Sequence, residues 1–199
     1  LVLLPVGSLA EGNTQEPVPY LVYNEISKEF ETEYCDDYTV IKLREHGEQT
    51  FYEGWYVLDG GSASGRITVS GDVHFILRNG SDNNFVYGIG LHSGSTLRIY
   101  AQPEENGKTT GKLRTSGTDG VNTGYGSHST SGAGIGGDYL FGSDDRDTSC
   151  GSLVVYGGIL DITGCEYSAG IGGGSKGSKK VDREDIPLFG NGGTIEISG

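Results

Sequence analysis

The sequence predicts an all-β protein, a right-handed parallel β-helix of three-sided coils with an N-terminal β cap, on three observations. Short segments recur in a fixed order along most of the chain, separated by spacers of variable length. Glycine supplies 36 of 199 residues and clusters at the ends of those segments, where an extended chain must turn a corner. Val, Ile, Thr and Tyr fall in short alternating runs, whereas methionine, heptads and any long 3.6-residue period are absent.

The N-terminal elements come first. Residues 1–10, LVLLPVGSLA, form an apolar run closing on Ser8, Leu9 and Ala10, the pattern of the last part of a secretory signal peptide whose basic start is missing. A buried N-terminal strand is the alternative. Residues 11–57 hold PYLVYNEISKEFETEY, YTVIKL and most of TFYEGWYVL, richer in aromatics and charge than the repeats, and are expected to cap the first coil with Trp55 as its cover. Residues 58–199 carry the repeats. One segment type is ITVSG from Ile67, TLRIYA from Thr96, SLVVYG from Ser152 and TIEISG from Thr194. A second is VHFIL from Val73, KLRTSG from Lys112 and ILDITG from Ile159. The third is GIGL from Gly88 and AGIGG from Ala133 and again from Ala169. Each set of three is one coil.

Side chains alternate along a strand, so Ile67 with Val69, Leu97 with Ile99, Leu153 with Val155 and Ile195 with Ile197 are expected inward. Val73, Phe75, Leu77, Leu113, Leu160 and Ile162 line a second wall, and the lone Ile89, Ile135 and Ile171 plug the third. Like strands stack in parallel about 4.8 Å apart. One coil alone buries too little to offset a backbone ordering cost of roughly 1–2 kcal/mol per residue, so stability comes from stacking. The spacers from Thr118 to Gly132, Asp138 to Cys150 and Ser175 to Gly190 are expected as corner loops. TIEISG is one strand into a new coil and is expected to continue beyond the given sequence.

The segments EGWYVL, ITVSGDVHFIL and STLRIYAQ, with the paired AGIGG runs, resemble a large group of exported repeat proteins of Gram-positive, often gut-dwelling, bacteria. That resemblance spans about Tyr20 to Gly199 and implies a right-handed parallel β-helix displayed at the surface, adhesin-like or glycan-associated. The sequence departs from the group at GIGL and in the insert between Gly117 and Gly132.

A formal charge of −13 repels phosphate backbones and anionic lipid, which weighs against nucleic-acid and peripheral-membrane roles. No later stretch approaches the roughly 20 apolar residues of a membrane-spanning helix, so no membrane insertion is expected in this fragment. Cys35, Cys150 and Cys165 form neither an even disulfide framework nor a Cys-x-x-Cys metal spacing. Cys150 and Cys165 flank one strand pair and are a candidate disulfide; three small, partly buried thiols are the alternative.

GAGIGG satisfies a dinucleotide spacing through Gly132, Gly134 and Gly137, but no βαβ pattern surrounds it. Lys176 follows Ser175 where a phosphate loop needs glycine. The acidic run Asp144, Asp145, Asp147 is a weak candidate for calcium and otherwise a solvated loop; Asp36 with Asp37 is the other cluster. A polygalacturonase-like site would bring Gly-His-Gly and Arg-x-Lys segments, and neither is present. Lys112 and Arg114 face outward as conceivable lyase bases. His46, His74, His92 and His128 lack metal spacing and read as surface imidazoles.

The outward side of the first segment type turns Arg98, Tyr100, Val154 and Tyr156 to solvent. With Glu196, the residues Arg98, Tyr100 and Tyr156 form a candidate glycan platform, combining apolar faces with polar tips. Stabilisation of the sheet by neighbouring tyrosines is the alternative. The expectation is therefore a secreted or cell-surface, non-enzymatic, monomeric module without cofactor, contacting polysaccharide or host surface glycans or proteins. A β-helix carbohydrate-active enzyme and a purely structural stalk are the other two readings.

Overall fold

The computed structural model describes residues 15–44, 49–105, 107–116, 132–138, 148–164, 168–181 and 184–198. Strands β1 (Val18–Asn24) and β2 (Glu29–Cys35) form an antiparallel hairpin. Its turn is closed by Asn24, whose Oδ1 accepts the Ile26 and Ser27 amides at 2.8 and 3.2 Å. Next are β3 (Thr39–Leu43), β4 (Gln49–Ala63), β5 (Ile67–Leu77), β6 (Asp82–Phe85), β7 (Ile89–Leu91) and β8 (Thr96–Ala101). Then come β9 (Lys112–Ser116), β10 (Ile135–Gly136), β11 (Ser152–Val155), β12 (Ile159–Thr163) and β13 (Ile171–Gly172). The last three are β14 (Ser175–Val181), β15 (Glu184–Phe189) and β16 (Thr194–Ile197). No helix occurs among the described residues.

The expected all-β class holds. β3 to β13 and β16 join one 12-stranded sheet in which every strand pair is parallel. The pairs sort into three ladders. In the first, Gln49, Ile67, Ile89, Ile135 and Ile171 are successive partners. In the second, Gly54, Val73, Leu97, Leu153 and Ile195 succeed one another, with Tyr56, Phe75, Ile99, Val155 and Ile197 two places on. The third runs Ala63, Phe85, Thr115, Ile162.

This register corrects the grouping of the first set of repeats by one step. ITVSG pairs with the Ile89 segment and so belongs to the Gly-Ile ladder, while VHFIL pairs with TLRIYA. The partner of KLRTSG is DNNF, a strand outside the three expected segment types. Two apolar residues spaced by two fit any wall of such a sheet, so alternation identifies a strand without identifying its ladder. DNNF offers little alternation to read. Its inward Asn83 is fully buried and satisfied: Oδ1 accepts the Gly60 amide at 2.8 Å, and Nδ2 donates to Ser81 Oγ and the Lys112 carbonyl, both at 2.9 Å.

The inward assignments otherwise hold. Ile67, Val69, Val73, Phe75, Leu77, Ile89, Leu97, Ile99, Leu113, Ile135, Leu153 and Val155 share one buried cluster, with Leu160, Ile162 and Ile171 packed against it. Phe51 and Phe75 meet edge to face with centroids 5.0 Å apart. Ile195 and Ile197 are the exception, 45% and 70% exposed, because no described strand pairs with the far edge of β16.

The N-terminal residues also sit differently from expectation. β4 runs unbroken across the boundary expected at residue 57 and contributes to all three ladders. The β1–β2 hairpin is a separate two-stranded sheet; instead of covering the end of the core, it lies on the outer flank of the second ladder. There Val18, Tyr20 and Val22 pack on Cys35, Val57, Ile76 and Tyr100. The spacer from Ser175 to Gly190, expected as a loop, forms the antiparallel β14–β15 hairpin. Residues 1–10 and most of the other two long spacers lie outside the described residues.

Candidate functional site

Outward positions on the second ladder carry an aromatic column. Trp55 and His74 are register partners, and their rings stack with centroids 3.9 Å apart. Arg98 is next in that row, so the column continues from the neighbouring outward row: Tyr100 stacks 5.8 Å from His74, and Tyr156 stacks 5.3 Å from Tyr100. Trp55 therefore flanks the core on its outer face. Tyr20 of the hairpin closes the group from above, edge-on to Tyr100 at 5.0 Å and tilted on Trp55 at 4.9 Å.

Charge borders the column. Arg98 Nε donates to Asp72 Oδ1 at 3.0 Å, and His74 Nε2 lies 3.6 Å from the same oxygen. His74 Nδ1 is 3.0 Å from Tyr100 Oη. Burial pushes the His74 pKa below its ordinary value; the Asp72 carboxylate opposes this and the Arg98 charge adds to it. The neutral ring then accepts the Tyr100 hydroxyl at Nδ1 and turns Nε2–H toward Asp72, an assignment made from the hydrogen-bond partners. Burial raises the Tyr100 pKa far above the ordinary phenol, so the hydroxyl stays a donor. Tyr100→Phe keeps the ring and orphans His74 Nδ1, with an expected loss of about 1–2 kcal/mol in urea unfolding; no loss would mean that the hydrogen bond contributes nothing.

The four platform residues are brought together, but not as a flat solvent-facing ladder. Tyr100 is 4% exposed, which corrects its expected exposure, because the hairpin covers its row. Val154, also expected at the surface, is buried. Tyr156 and Arg98 are half-buried, and Glu196 is exposed. Arg98, Val154 and Glu196 are successive register partners. Among the other candidates, Asp144, Asp145, Asp147, His46, His128 and Cys165 lie outside the described residues. Cys150 is a buried free thiol. Lys112 pairs with Asp161 at 3.4 Å, and Arg114 grips Asp82 through two hydrogen bonds of 2.8 and 2.9 Å. Among the described residues no three His, Cys, Asp or Glu side chains are grouped to hold a metal.

A second polar centre, which the sequence does not announce, is built around Arg66, which is 6% exposed. Its Nε donates to Asp138 Oδ1 at 2.6 Å and Nη1 to the carbonyls of Tyr87 and Ala133 at 2.7 and 2.9 Å. Nη2 donates to Gly136 and Gly137 at 3.1 and 3.2 Å. The GAGIGG run thus presents carbonyl oxygens to a cation, the reverse of a phosphate cradle, which presents amides. Its only sequence signals are a lone Arg before a strand and Asp138 just after the glycines.

Asp138 also pairs with His92 Nε2 through Oδ2 at 2.9 Å. Burial works to raise its pKa, but the His92 hydrogen bond and the Arg66 charge outweigh it and hold the carboxyl below its ordinary value. The unfolded chain then binds the proton more readily, so the Asp138 contribution is complete above the ordinary Asp range and fades as pH falls through and below it. Asp138→Asn is accordingly expected to flatten the acid limb of a stability–pH curve; an unchanged limb would contradict this linkage.

Compared with protein-family models, curated proteins and solved structures, the chain shows no match.

Proposed function

We propose that this chain is a secreted or cell-surface, non-enzymatic repeat module, an adhesin-like scaffold whose outer flank contacts glycans. The finer architecture we propose is a right-handed, three-sided β-helix. It is supported by three parallel ladders visited in the same order on successive rounds, and by the handedness of nearly all parallel crossovers. The resemblance to exported bacterial repeat proteins supports the surface location.

The observation that carries the binding role is the half-buried Tyr156, stacked on Tyr100 in the flank that holds Arg98, Asp72 and Glu196. An aromatic face beside paired polar groups suits the C–H face and hydroxyls of a sugar. A stalk without ligand is the second reading, favoured by the hairpin that covers Tyr100.

A glycan array probed with the full chain tests the two. Retention of selected glycans, weakened roughly three- to tenfold in Tyr156→Ala, is the expected result, the range that an aromatic contact of about 0.5–1.5 kcal/mol supplies. No retained glycan would leave the stalk.

A further inference from the structure

Resting on the glycan-contact reading, we infer that the open end of the aromatic column is a stacking subsite for a neutral pyranose, with Tyr156 as its floor. Tyr156 has one face on Tyr100, and no ring among the described residues covers the other. The reason lies one rung further on. Tyr156 N donates to Ile99 O at 2.8 Å and Ser198 N to Val155 O at 3.0 Å, which puts Ser198 in the row of Tyr100 and Tyr156. Where the two preceding rungs place a tyrosine, this rung places a side chain of two heavy atoms. The aromatic column stops at half-buried Ser198, whose side chain does not reach across the free Tyr156 face as a ring would.

The neighbouring row decides what fits. It offers the Arg98 guanidinium, already paired with Asp72, then buried Val154, then the exposed Glu196 carboxylate. Arg98 and Asp72 neutralise each other two and three strands away, so the carboxylate that borders the subsite is Glu196, and on a chain of net charge −13 it repels uronic, sialic and sulfated sugars. The same carboxylate accepts hydrogen bonds from hydroxyls. A neutral pyranose brings those hydroxyls together with an apolar C–H face for the tyrosine ring, so it meets both halves of the site.

Saturation-transfer NMR on the full chain, with methyl glucoside, galactoside and mannoside against methyl glucuronide, tests this. Saturation is expected on the C–H face of at least one neutral glycoside and not on the glucuronide. Ser198→Trp, which extends the column into the subsite and leaves Tyr156 in place, should weaken binding at least tenfold with an unchanged thermal midpoint. Glu196→Gln should admit the glucuronide. Preference for the glucuronide in the natural chain overturns the ligand class. Glycoside binding unaffected by Ser198→Trp, while array binding still falls in Tyr156→Ala, overturns the subsite and spares the glycan reading. Silence of both array and NMR removes that reading, and this inference with it.

Discussion

Arg66→Met is expected to lower the free energy of unfolding by about 3–5 kcal/mol, the usual cost of removing one partner from a buried, charge-assisted network. The methionine fills much of the same volume. It leaves four backbone carbonyls and the Asp138 carboxylate without the donor that gathers them. Asp138→Asn retains the carbonyl contacts of Arg66 and should cost clearly less. The effects of the pair should be less than additive, since each variant breaks the same contact. Urea unfolding of the two single variants and the double variant measures this. A loss under about 1 kcal/mol for Arg66→Met would mean that the glycine segment holds its place without the guanidinium.

Gly136→Ala is the second large effect, expected at roughly 2–4 kcal/mol from backbone strain and a disturbed ladder hydrogen bond together. Gly136 has a φ of +143°, and it pairs with Gly172 in the first ladder so closely that a Cβ would overlap the Gly172 carbonyl oxygen. Neither atom can yield without opening the pair. Gly94 supplies the control, because its φ is +86° but nothing lies within 4 Å of where its Cβ would be. Gly94→Ala should therefore cost only the conformational part, about 1–2 kcal/mol. Equal losses at the two positions would show that close rung packing at Gly136 contributes nothing.

The contrast between those glycines shows what sequence can convey. Glycines at segment ends announce corners, but only the register distinguishes a corner pressed against the next rung from an open one. The inward columns are legible because a wrong assignment would put Leu97, Ile99, Leu153 or Val155 in water. The phase of the first repeats is not, since Ile67 and Val69 satisfy the same alternation as Leu97 and Ile99. DNNF is hidden because a buried Asn, whose partners beyond the nearby Ser81 hydroxyl are distant in sequence, looks like any turn residue. On the flank, the outward tyrosine rows come from alternation alone. Their cover does not: Val18, Tyr20 and Val22 alternate like any other strand, and nothing local states that their apolar side docks on Tyr100 rather than over the end of the core.

The register itself is the claim on which the core, the flank and the subsite depend. Couplings across hydrogen bonds, read by NMR between amide nitrogen and carbonyl carbon, test it directly. The expected set links the Ile67 amide to the Gly88 carbonyl, Ile89 to Gly134 and Ile135 to Gly170 on the first ladder, and Tyr156 to Ile99 with Ser198 to Val155 on the second. A coupling from the Ile67 segment to the strand that begins at Thr96, or an antiparallel pattern between β8 and β11, would contradict the account.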